Sequence, residues 1–119
     1  MVGNADPEAA RRYYELVDDE DYDGLVGLFS PDVVYERPGQ PPIEGLSELR
    51  AFYETGRPLS EGEHTVHTVV AEGDTVAVRG SFEGVQDGER VAFGFADFHE
   101  FDDEGFIVHR HTYTDRDTV

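Results

Sequence analysis

The chain has 119 residues, with 27 acidic side chains against 9 basic ones and a formal net charge of −18. All nine basic residues are Arg, and there is no Lys and no Cys. Disulfides and thiolate chemistry are thereby excluded, and nucleic acid and anionic membranes are disfavoured as partners, because phosphate contacts need clustered cations. The length suits one domain over residues 1–119, and 8 Phe and 6 Tyr supply a core. No apolar run is long enough for a membrane helix. The start, Met1-Val2-Gly3-Asn4-Ala5-Asp6, lacks the basic end and apolar stretch of a signal peptide, so a cytoplasmic location is expected. Dense surface carboxylates without Lys fit a halophilic cytoplasm, where salt screens their mutual repulsion.

Asp6-Pro7-Glu8 reads as an N-cap followed by Pro at the first helical position. The helix continues through Ala9, Tyr13, Leu16 and Val17 at helical spacing, and Asp18 to Asp23 forms an acidic link. Tyr22 to Phe29 is expected as a short second helix, ended by Ser30-Pro31-Asp32. Val33 to Glu36 reads as a strand stopped by Pro38-Gly39, and Gln40 to Gly45 as a loop. Ser47 is expected to cap a third helix carrying Leu49, Phe52 and Tyr53. After Gly62 come four β-rich stretches: His64 to Ala71, Thr75 to Val85, Arg90 to Phe101 and Phe106 to Tyr113. Gly-containing turns join them. Helices followed by an antiparallel meander give an α+β class. The tail after Asp115 is expected to fray.

The third β-rich stretch carries the strongest chemical signal. Alternation places Phe93, Phe95, Asp97, His99 and Phe101 on one face. An ionised carboxylate among phenylalanines is costly unless it is paired, hydrogen-bonded or protonated. Asp97 therefore marks a site or a salt bridge, unless that face meets water.

Two patterns offer metal chemistry and are set aside. Asp19-Glu20-Asp21-Tyr22-Asp23-Gly24 matches half of an EF-hand loop, but Ser30 stands where the bidentate Glu belongs. His109 and His111 share a face of the last strand, which with His99 and Asp97 could bind a metal. They also share it with Ile107 and Tyr113, so packing or a subunit contact is the reading taken. No metal and no cofactor are expected.

Arg12-Tyr13, Asp21 to Val26, Leu28 to Gly39, Leu49 to Tyr53, Ser81-Phe82-Glu83, and Asp97 in its strand form a recognisable set. Together they resemble the Δ5-3-ketosteroid isomerases and, more widely, the NTF2-like superfamily with its SnoaL-like members. The resemblance implies a cone in which N-terminal helices pack on a curved antiparallel sheet around an apolar pocket. It further implies a small organic ligand and a homodimer through the outer sheet face. In the isomerases a helical tyrosine and a protonated strand aspartic acid form an oxyanion hole; Tyr13 and Asp97 match them, and Tyr53 matches a further site tyrosine.

The chain departs from that pattern at one position. The isomerase base is an Asp between Glu and Pro, and here Glu36-Arg37-Pro38 puts Arg37 there. A guanidinium stays protonated and takes no proton from carbon, and alternation turns Glu36 to the opposite face. The resemblance also aims Arg110 and Thr112 into the pocket, with His109, His111 and Tyr113 outside. Arg37 and Arg110 near Asp97 would lower its pKa, so an ionised Asp97 paired with Arg is expected. Two uses of the pocket follow. In the first, an isomerase, cyclase or hydrolase has Tyr13 as donor and Asp97 as base or water activator. In the second, a non-catalytic module clamps an anionic ligand between Arg37 and Arg110, or binds a protein partner.

Overall fold

The computed structural model describes residues 4–56 and 59–115. The expected fraying after Asp115 falls on residues 116–119, outside the described residues. The first helix, α1 (Pro7–Asp18), begins where its sequence dictates: the Asp6 carboxylate accepts from the backbone N–H of Glu8 and Ala9, and Pro7 occupies the first turn. Its buried stripe is Ala10, Tyr13, Tyr14, Leu16 and Val17, set against the sheet. A second helix, α2 (Tyr22–Val26), is capped by Asp21, whose side chain accepts from Gly24 N–H at 3.0 Å. The half EF-hand pattern therefore lies on a helix-to-helix connection.

Several boundaries differ from expectation. The helix α2 stops at Val26 instead of Phe29, and the strand β1 (Phe29–Glu36) already contains Ser30-Pro31-Asp32. Pro31 is tolerated because β1 is irregular in register between Phe29 and Val34, where a missing N–H breaks no ladder bond. A two-residue strand β2 (Ile43–Glu44) precedes α3 (Leu46–Ala51). That helix starts from Gly45, at φ 85°, and not from Ser47; it runs on as a π-helical turn over Phe52–Gly56.

The remaining strands are β3 (Leu59–Glu72), β4 (Thr75–Gln86), β5 (Glu89–Phe101) and β6 (Ile107–Thr114). The described residues form one six-stranded sheet in the order β2-β1-β6-β5-β4-β3. The expected antiparallel meander is β3 to β6, but β1 joins β6 in parallel, so the sheet is mixed. The reason is topological: β3 is reached through α3, and the meander then returns its last strand alongside β1 in the same direction. Register irregularities in β3 and between Glu100 and Phe101 curve the sheet. The second of these also corrects the face of Ile107. That residue is buried with Arg110 and Thr112, whereas His109, His111 and Tyr113 lie on the outer face.

Alternation in β5 holds over its second half. Phe93, Phe95, Asp97, His99 and Phe101 are all buried on the concave side under α1. One clip fixes α1 there. Asp18, in its last turn, accepts from His64 N–H at 2.9 Å and sits 2.6 Å from His64 Nδ1.

Candidate functional site

The concave side encloses a pocket lined by Tyr13, Tyr35, Arg37, Phe52, His64, Phe93, Phe95, Asp97, Arg110, Thr112 and Thr114. Its free volume is about 30 Å³, enough for ordered water and far too small for a fused-ring ligand with these side chains in place. Among these, Tyr13, Tyr35, Asp97 and Arg110 are buried, Arg37 and Thr114 are half-buried, and the His64 side chain is 9% exposed.

Asp97 is the hub. It is 2% exposed and accepts from three donors: Arg110 Nη2 at 2.8 Å, the Tyr14 hydroxyl at 2.6 Å and the Thr112 hydroxyl at 2.5 Å. Burial alone would raise its pKa, but Arg110 and the two hydroxyl donors outweigh burial and hold it below the usual carboxylate range. Asp97 is thus an ionised carboxylate, unlike the neutral acid of the isomerase pattern. Arg110 experiences the reciprocal balance. Burial works against its charge, Asp97 more than compensates, and the guanidinium is held firmly protonated.

Proton bookkeeping fixes the rest of the network. Tyr14 has one hydroxyl proton and gives it to Asp97, so its oxygen accepts from His99 Nε2–H at 3.0 Å. His99 Nδ1 then carries a lone pair, with no hydrogen-bond partner among the described residues. Burial, reinforced by Arg110, brings the His99 pKa down to about 3, so its ring is neutral. Thr112 donates to Asp97, so Tyr35 donates to Thr112 at 3.2 Å. Tyr13 is hydrogen-bonded to Tyr53 and not to Asp97. Burial raises the pKa of Tyr13 and, with Asp97 adding to it, that of Tyr14; both remain protonated.

Arg110 lies between two aromatic faces, its guanidinium carbon 4.1 Å from the Tyr13 ring centre and 4.5 Å from that of Tyr35. Only Nη2 reaches Asp97. Nε and Nη1 are buried and have no acceptor among the described residues. A buried charged donor left without an acceptor is costly, so this is the least satisfied part of the site. Arg37 stacks on Phe52, its guanidinium carbon 4.3 Å from the ring centre. It lines the same pocket, which therefore carries two cations and one anion before His64 is counted.

The sequence pattern does not single out Tyr14 or His64. A helical stripe through Ala9, Tyr13, Leu16 and Val17 leaves Tyr14 aside, whereas the buried stripe is Ala10, Tyr13, Tyr14, Leu16 and Val17. His64 pairs with Asp18 across 46 residues, a separation at which no local pattern operates. Asp18 accepts from Nδ1–H, so the pair is an imidazole oriented by a carboxylate on the pocket wall. The four groups considered for a metal do not converge. Asp97 and His99 lie inside the sheet, and His109 and His111 lie outside it.

Comparison with known proteins agrees with this architecture. A family model described as a SnoaL-like domain matches residues 10–110. An NTF2-like protein of unknown function from Burkholderia pseudomallei superposes with a TM-score of 0.83 at 20% identity, over 97% of this chain and 92% of that one. An LEH-like epoxide hydrolase from M. tuberculosis gives 0.80 at 24% identity, over 92% and 81%. A protein named as a SnoaL-like polyketide cyclase, from Jannaschia sp. CCS1, gives 0.79 at 21% identity, over 91% and 83%. At such identities the likeness is one of fold.

Proposed function

Because this chain belongs to the SnoaL-like domain family, we propose that its pocket takes a small organic carbonyl compound and shifts a proton on it, as an isomerase or cyclase does. The observation that carries this reading is Arg110: a buried guanidinium on the pocket wall with Nε–H and Nη1–H unanswered among the described residues. Such a fork suits an oxygen that bears negative charge or develops it during enolisation. Tyr13, protonated and adjacent, is the second donor. Asp97 in this reading is a positioning residue. It accepts three hydrogen bonds and has a lowered pKa, so it holds Arg110 in place and is a weak base.

The proton acceptor is His64, oriented by Asp18 as a base is oriented by a carboxylate in other proton-transfer sites. The step balances without a co-reactant. His64 takes a proton from the carbon beside the carbonyl, the electron pair moves to the oxygen facing Arg110, and the proton returns at a second carbon. Entry of such a compound requires lining side chains to move aside, given the free volume of about 30 Å³. Hydrolysis of the kind implied by the M. tuberculosis neighbour draws less support, since Asp97 is the one carboxylate among the described lining residues.

Acetylacetone and acetoacetate in D₂O are suitable probes. The expected result is protein-dependent deuterium exchange at the central carbon, lost in His64→Gln while binding persists. Saturable binding with no exchange in either chain would replace this reading with the non-catalytic, anion-clamping one. Neither binding nor exchange would remove the small-molecule reading altogether.

A further inference from the structure

The outer face of the sheet carries a second constellation, remote from the pocket. Glu36 ends β1 and is paired in register with His111 of β6; His109 precedes it by two residues and so projects on the same side. One ligand atom from each of Glu36, His109 and His111 lies within 4.8 Å of the others. His109 Nε2 is 2.6 Å from Glu36 Oε2, and His111 Nδ1 is 3.7 Å from that same oxygen. We propose that Glu36, His109 and His111 form a binding site for a borderline divalent transition ion of the zinc type.

The donor set fits that ion class: two imidazole nitrogens and one carboxylate oxygen suit Zn²⁺ and its neighbours better than Mg²⁺ or Ca²⁺, which prefer all-oxygen shells. Ligand atoms about 2.0–2.2 Å from a central zinc lie roughly 3.3–3.6 Å from one another, so the three reach that spacing by shifts on the order of 1 Å, within the reach of side-chain rotation. A second feature of the surroundings points the same way. His109 Nδ1 is 2.6 Å from Glu100 Oε2, which is opposite it on β5. A carboxylate on the far nitrogen of a ligating imidazole fixes its tautomer and orientation, as around bound zinc. His111 is held in turn by stacking on Tyr113, ring centres 4.3 Å apart and nearly parallel. The side chains of Glu36, His109 and His111 are 41%, 29% and 33% exposed, so an ion can reach them and keep water on its remaining positions. The chain's charge of −18 raises the local concentration of any cation. Glu36 faces away from the pocket, which makes this site independent of the chemistry proposed there.

The test is zinc titration of the untagged, chelator-treated chain at constant ionic strength, read by calorimetry and by the histidine ring signals in ¹H–¹⁵N spectra. One zinc per chain is expected, with the His109 and His111 signals shifting together and the His67 and His99 signals unmoved. His111→Gln and Glu36→Gln should each weaken binding by more than about tenfold, and Glu100→Gln by about tenfold, as for loss of a supporting carboxylate. Circular dichroism checks that each variant is folded. Absence of saturable zinc binding, or binding unchanged by His111→Gln, overturns the proposal and leaves a hydrogen-bonded ion network. Equal affinity for Ca²⁺ or Mg²⁺ also overturns it, since that would be the response of scattered surface carboxylates.

Discussion

Replacing Asp97 with Asn keeps its shape and removes its charge, which makes the variant a sharp probe of the buried network. The change leaves the Arg110 guanidinium, 3% exposed, without an anion. The Asn amide nitrogen is itself a donor and would face donors where a carboxylate oxygen accepted. Tyr14 can respond by donating to His99 Nε2, because the imidazole can change tautomer. Arg110 has no such option, since it carries only donors. Breaking one partner of a buried ion pair costs about 3–5 kcal/mol, a large share of the roughly 5–15 kcal/mol typical of a whole domain. For a chain of this length that corresponds to a fall in Tm of roughly 12–20 °C. Urea denaturation at fixed KCl is the appropriate assay, because an ionic denaturant would screen the surface charges at the same time. The double variant Asp97→Leu/Arg110→Met removes both charges and should be more stable than Asp97→Asn alone. A loss below about 1 kcal/mol for Asp97→Asn, or a double variant worse than the single one, would refute the assignment of Asp97 as the anion that Arg110 requires.

Other consequences follow from the same structure. His99 has a folded-state pKa of about 3 against an ordinary 6.5, so below pH 6.5 the unfolded chain binds a proton that the folded chain refuses. Its contribution to stability is therefore full above pH 6.5 and lost as pH falls toward 3, by up to about 1.4 kcal/mol per pH unit. His99→Leu should flatten the urea-midpoint profile in that window. Gly80→Ala would place a Cβ 2.3 Å from the Thr65 carbonyl oxygen of the neighbouring strand. Separating two hydrogen-bonded strands should cost roughly 1–3 kcal/mol, read as a lowered urea midpoint. The net charge of −18 should make Tm climb as KCl rises from about 0.1 M, where charges interact over about 10 Å, to about 1 M, where they interact over about 3 Å. A flat or falling Tm would contradict a surface built for concentrated salt.

What could be read from the sequence was what short-range periodicity encodes. Strand alternation alone put Asp97 and His99 among the phenylalanines of β5, and the Asp6-Pro7 cap placed the start of α1. The α+β class follows from the same patterns, whereas the SnoaL-like relationship rested on the resemblance of whole segments and agrees with the family match over residues 10–110. Features that depend on distant segments were not legible. The parallel pairing of β1 with β6 joins strands separated by most of the chain, and the irregularity between Glu100 and Phe101 reverses the side on which Ile107 falls. The contact of Tyr14 with Asp97 spans 83 residues, and that of His64 with Asp18 spans 46. Strand alternation turns Glu36 away from the pocket, but its meeting with His109 depends on a register that only the folded sheet supplies.

The most direct test of the central claim follows the Arg110 Nε–H resonance by ¹⁵N NMR while acetoacetate is added. That proton lacks an acceptor among the described residues, so an incoming oxyanion should move its signal downfield, saturably and in step with binding. If acetoacetate binds while the Arg110 Nε–H signal stays fixed, the oxygen is held elsewhere and Arg110 is only the structural partner of Asp97.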